Sequence, residues 1–149
     1  ENRTENFVAR NDVPDRYAVS YFKNDAGTGV PREIFKALYI GIFRANQVIN
    51  YAPQIQGIDE TKREQLLAEA TFLRGLNYFN LVNEFGAVPI TTALVESQSD
   101  YFKSKSTEAE VWSQVIADFQ FAANSALHLR HPVPTTLICI FYSPNVLYQ

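Results

Sequence analysis

EATFLRGLNYFNLVNEFGAVPI, residues 69–90, is the stretch that decides the fold. A helix lying on a protein surface shows one apolar stripe and a broad polar face. Here Leu66, Ala70, Leu73, Leu81 and Phe85 lie broadly on one side, and Phe72, Leu76 and Phe79 on another. Only a narrow strip of Glu69, Asn77, Asn80 and Glu84 stays polar. A helix with two apolar sides needs two neighbours, which is the middle position of a stacked helical array. Arg74 sits inside this run. Buried charges persist only when paired and hydrogen-bonded, so Arg74 is expected to reach a carboxylate or helix-end carbonyls on a neighbour, with Asp118 the first candidate. Gly86 and Pro89 give the stop pattern. The start is either Asp59 as cap or a Thr61/Glu64 capping box. The helix is therefore expected over residues 59–85.

Working outward, residues 31–51 form a second helix. Pro31 suits a first helical position, and Phe35, Leu38, Tyr39, Ile42, Phe43 and Ile49 recur at spacings of three and four, the mark of one buried face. Gly41 inside that pattern costs about 1 kcal/mol relative to Ala, so it is expected to permit a close helix crossing. A third helix covers residues 107–127, opened by a Thr107/Glu110 capping box. Its apolar face is Trp112, Val115, Ile116, Phe119, Ala123 and Ala126. The connection before it is polar, about eighteen residues long and rich in Ser and Thr. The first thirty residues hold no sustained periodicity and are broken by Asn, Asp, Gly and Pro, which predicts a long loop with a short helical turn. The fold class is all-α: three long stacked helices behind a long N-terminal loop region.

Composition bounds the function. A chain of 149 residues with 46% hydrophobic and 19% charged residues is an ordinary globular domain. A net charge of −3 without a Lys/Arg cluster argues against nucleic-acid binding. No run of about eighteen apolar residues offers a membrane-spanning helix. The chain begins at Glu1 and has no Met, from which a processed or excised piece is expected, any signal peptide or lipid-attachment cysteine lying upstream. Cys139 has no internal disulfide partner, and His128 and His131 have no third ligand nearby, so neither a metal site nor a cofactor is called for. Glu69 and Glu84 are about 22 Å apart by helical rise, too far for joint acid–base work. No GxSxG, HExxH or P-loop occurs, and GTG at residues 27–29 is a lone feature. No enzymatic activity is expected.

The order of three motifs resembles a known family. RANQVI at residues 44–49, then residues 69–90, then STEAEVWSQVIADFQFA at residues 106–122 are similar to the SusD/RagB family of outer-membrane nutrient-binding lipoproteins. RTENFVARND at residues 3–12 resembles the stretch that often precedes the first of these helices. The chain carries Thr71 for the family's usual Arg and Gly75 for its usual Ala, but keeps Glu69, Ala70, Phe72, Leu73 and Arg74. The resemblance spans about residues 1–127. It implies tetratricopeptide-like helix pairs, no catalysis, and a lipid-anchored place at the cell surface, the anchor lying outside these residues. It also implies capture of oligosaccharides, or in some branches peptides, for a TonB-dependent, SusC-like transporter.

After Leu127 the sequence departs. HLRHPVPTTLICIFYSPNVLYQ replaces the family's continuation, so residues 128–149 are expected to be an atypical tail, truncated or frame-shifted. TTLICIFY within it is β-branched and aromatic, and would be an aggregation hazard if exposed.

For ligand binding, sugar sites combine aromatic platforms with planar polar side chains. Arg10, Asn11, Asp12, Arg16, Tyr17, Tyr21 and Phe22 offer that mixture, and the family places part of its site on this side of the first helices. Arg16, Tyr17, Tyr21 and Phe22 are the candidate ligand contacts. The alternative is that Tyr17 and Tyr21 merely pin the loop onto the helix over residues 31–51. A competing function is a tetratricopeptide-like adaptor for a protein partner, using the strip of Asn77, Asn80 and Glu84.

Overall fold

The computed structural model describes Pro14, Tyr17, Tyr21 and residues 29–94 and 103–129, with side chains as far as residue 125. Among the described residues three long α-helices follow in order, α1 over Gly29–Tyr51, α2 over Glu60–Phe85 and α3 over Glu108–Leu129, and Pro14 and Tyr17 are also helical. A 3₁₀ turn, Ala52–Gln54, closes α1. No strand occurs among the described residues. The chain divides into two compact units, Glu1–Ile40 and Gly41–Gln149, with the boundary inside α1.

The helix ends follow local chemistry. α1 starts two residues before Pro31; a proline in the first turn has no intrahelical N–H to lose. Of the two caps open for α2, Asp59 is used, its carboxylate accepting the Lys62 N–H at 3.2 Å. Gly86 ends α2 at φ 67°, a left-handed conformation that glycine adopts without a Cβ penalty, and its N–H donates to Val82 O at 3.0 Å. The capping box of α3 forms as expected. The Glu110 N–H donates to Thr107 Oγ1 at 3.3 Å, and the Thr107 N–H donates to Glu110 Oε2 at 2.7 Å.

In the second unit α2 lies between α3 and the C-terminal half of α1. The α2–α3 seam is antiparallel. Phe72 meets Phe119 with ring centroids 5.4 Å apart, and Phe79 meets Trp112 edge-on at 5.8 Å. Between these pairs Gly75 brings the backbones together: a Cβ there would lie 3.0 Å from Asp118 Cβ and 3.2 Å from Phe119 Cε1. On the other side Gly41 meets a side chain rather than a neighbouring backbone: its Cβ would fall 2.8 Å from the Asn77 amide, so the close helix crossing expected of it is not what the glycine serves. Tyr78, Ile42, Leu81, Val88 and Val111 are the largest fully buried side chains.

Three expected apolar faces need correction. Leu73 is 52% exposed and Leu76 also faces solvent. The buried arc of α2 runs through Ala68, Thr71, Gly75, Tyr78 and Val82, with Ala70 and Leu81 beside it. Small and polar residues hold the contact face because the helices cross closely there, and the two leucines fall in the opposite arc. On α3 the buried line is Val111, Val115, Asp118 and Ala122, which leaves Ile116 about 100° off it and exposed. On α1 Phe43 is exposed beside buried Ile42. Ala126 lies beyond the described side chains.

Candidate functional site

In the first unit Tyr17 and Tyr21 stand one helical turn apart, and the Tyr21 N–H donates to Tyr17 O at 3.3 Å. Their ring centroids are 4.6 Å apart with planes tilted by 47°. Both remain exposed, at 38% and 49%. Two adjoining exposed phenol rings supply an apolar platform with hydroxyls at its rim, the surface chemistry that suits a sugar's C–H face and its hydroxyls. Arg16 and Phe22, the other two candidate contacts, lie outside the described residues, as do Arg10, Asn11, Asp12, His131 and Cys139.

The second unit holds a polar network at its centre. Arg74 Nε and Nη2 donate to Asp118 Oδ2 and Oδ1 at 2.9 and 2.7 Å, and Gln114 Nε2 donates to the same carboxylate at 2.8 Å. Asp118 is 2% exposed. A two-pronged guanidinium–carboxylate contact is the geometry that Arg favours and Lys cannot supply. Arg74 Nη1 also donates to Asn46 Oδ1 at 3.0 Å, and Asn46 Nδ2 donates to Thr91 O at 2.8 Å. Thr91 is held again by Tyr78, whose hydroxyl accepts the Thr91 N–H at 2.7 Å and lies 3.1 Å from Thr91 O. Burial pushes the Tyr78 phenol up, while hydrogen bonds from Thr91 and the Arg74 charge pull the other way and lose.

Sequence reasoning paired Arg74 with Asp118 but missed Asn46, Tyr78 and Thr91. One signal was available: Asn46 interrupts the apolar face set by Ile42 and Ile49, and a polar residue on a buried face must find a partner. This network is a scaffold rather than a ligand groove, because its members spend their donors and acceptors on each other.

Of the strip read for a protein-binding adaptor, Asn77 is half-buried and the other two residues stay at the surface. Asn77 donates to Leu73 O at 2.7 Å and lies against Gly41, while Asn80 and Glu84 stay exposed. Among the described residues no group of three His, Cys, Asp or Glu could hold a metal ion, and no helix is long and apolar enough to cross a membrane.

Known proteins share this arrangement. A SusD-like family model, described as "Starch-binding associating with outer membrane", matches residues 1–130. SusD-like protein P2 from Formosa agariphila is 34% identical over 108 residues, covering 72% of this chain and 21% of its own length. Among solved structures, a laminarin-binding SusD-like protein superimposes with a TM-score of 0.72 at 29% identity, covering 79% of this chain and 25% of that one. Surface glycan-binding protein A from Bacteroides fluxus gives 0.63 at 25% identity, covering 74% of this chain and 22% of that one. The chain belongs to the SusD-like family, and its three helices are that family's all-α, tetratricopeptide-like arrangement. It spans about a fifth of the length of the curated relative P2.

Proposed function

We propose that the chain serves a non-catalytic glycan-binding protein of the outer-membrane surface, which passes oligosaccharide to a TonB-dependent, SusC-like transporter. The observation that carries this reading is the family match along residues 1–130. Two of the similar solved proteins carry laminarin-binding and surface glycan-binding in their names, which favours a glycan over a peptide as cargo. Arg16, Tyr17, Tyr21 and Phe22 are assigned to the ligand surface. The exposed, adjoining rings of Tyr17 and Tyr21 support that assignment. A lipid anchor would hold the protein at the membrane.

The test is an array of α- and β-glucan oligosaccharides and of peptides, probed with the protein as its source cells make it. Selective glycan binding is the expected outcome; binding to peptides alone would move the protein to a peptide-capturing branch. Transfer is checked separately, by co-purifying the protein with a TonB-dependent barrel from detergent-solubilised outer membranes. Failure to co-purify would remove the transporter from the proposal and leave glycan capture standing.

A further inference from the structure

The central network uses its donors and acceptors internally; the outer face of α1 leaves its own unused. Phe43, Gln47 and Tyr51 recur at spacings of four and so line one face of the helix, turned away from buried Ile42 and Ala45. Arg44 and Asn50 flank that line, both exposed. Phe43 is 46% exposed and Tyr51 51%, while Gln47 between them is half-buried. Among the described residues none of these side chains makes a hydrogen bond, an ion pair or a ring contact. At a rise of about 1.5 Å per residue, Phe43 and Tyr51 stand about 12 Å apart along the helix. Leu73, Leu76 and Ile116 also face solvent, but aliphatic side chains have no ring face to offer.

We infer that this face of α1 is a second oligosaccharide contact surface, within the unit Gly41–Gln149. Phe43 and Tyr51 stack on two different sugar units, and Arg44, Gln47 and Asn50 hydrogen-bond the hydroxyls between and beside them. The inference rests on the glycan-binding reading above. An aromatic face takes the C–H side of a pyranose, and planar amide or guanidinium groups read its hydroxyls. Unused polar groups favour a polyhydroxylated ligand over an apolar protein segment, which would bury them without partners. The spacing also sets a length requirement. A single sugar unit reaches one ring, and only an oligosaccharide spans both.

Calorimetric titration of the protein as its source cells make it, with α- and β-gluco-oligosaccharides of increasing length, tests this. Wild-type affinity should rise with length. Phe43→Ala and Tyr51→Ala should each weaken binding of the long oligosaccharides about fivefold, the scale of one lost aromatic contact, and flatten the dependence on length. Tyr51→Phe keeps the ring and should keep most of the affinity. Both rings are exposed, so the melting temperature should stay at the wild-type value. Long-chain affinity unchanged in both alanine variants overturns the second surface and leaves the glycan-binding reading intact; a wild type that binds no glycan overturns both. Loss of a co-purifying barrel with glycan affinity unchanged would give the face to a protein partner and overturn the inference as well. Should an alanine variant melt early, the wild type decides through hydroxyl-radical footprinting, with a non-binding sugar as the scavenging control. Bound oligosaccharide should protect Phe43 and Tyr51, and labelling of both as in the free protein overturns the surface.

Discussion

Arg74 contributes to stability through what it prevents. Asp118 is almost wholly enclosed, and without the guanidinium its carboxylate keeps, among the described residues, only the Gln114 amide. Removing one partner of a buried pair leaves an uncompensated charge, at a cost of about 3–5 kcal/mol. Arg74→Leu is therefore expected to lower the urea-unfolding free energy by about that much, and Arg74→Leu combined with Asp118→Leu should cost less than the single change. A double variant weaker than the single one would show that the pair itself, and not the stranded charge, is what matters. Tyr78 carries a pH signature. Burial holds its pKa above the ordinary 10.0, so the folded state favours the protonated phenol. That contribution is whole below pH 10.0 and is lost as pH rises through the folded-state value. Alkaline unfolding followed by tyrosinate absorbance should accordingly show a stability gap between wild type and Tyr78→Phe that narrows above pH 10.0.

At the start of α3, Thr107 and Glu110 satisfy each other's exposed polar groups. The backbone hydrogen bond from Thr107 holds the Glu110 carboxyl below its ordinary 4.5, and the Thr107 hydroxyl adds to this. A depressed carboxyl stabilises the fold above its ordinary pKa, and the effect fades as pH falls through the folded-state value. Glu110→Gln should thus flatten the acid limb of a melting-temperature profile, with wild type and variant converging below pH 4.5. Thr107→Ala is expected to cost about 1 kcal/mol at neutral pH in chemical unfolding. These ends were legible in the sequence because a cap is made by residues three positions apart. The faces were less legible. Leu73 and Ile116 have the spacing of core residues, yet which arc of a helix is buried depends on where its neighbours cross. Gly75 sets the α2–α3 crossing, and the Cβ-free contact there draws Thr71 and Tyr78 inward while turning Leu73 out.

Across the whole molecule, the order of the three helix motifs was enough to identify the family, because spacing along the chain survives where single residues drift. The ligand surface was not legible to the same degree. Aromatic residues in a loop have no periodicity to separate a sugar platform from a loop anchor, and only the exposure of Tyr17 and Tyr21 favours the platform. The candidate contacts all fall in the unit Glu1–Ile40, whereas the polar network falls in Gly41–Gln149. If that division separates binding from scaffold, the two sets of variants behave oppositely. Tyr17→Ala and Tyr21→Ala should each weaken glycan affinity by about 1 kcal/mol, roughly fivefold, on the scale of one lost aromatic contact, and leave the melting temperature where it was. Arg74→Leu should lower the melting temperature and, at a temperature where the variant is still folded, leave glycan affinity unchanged. Calorimetric titration beside thermal melts of the same preparations reads both. Tyrosine variants that melt early without losing affinity would return Tyr17 and Tyr21 to the role of loop anchors, and lost affinity in a fully folded Arg74→Leu protein would put the network inside the binding surface.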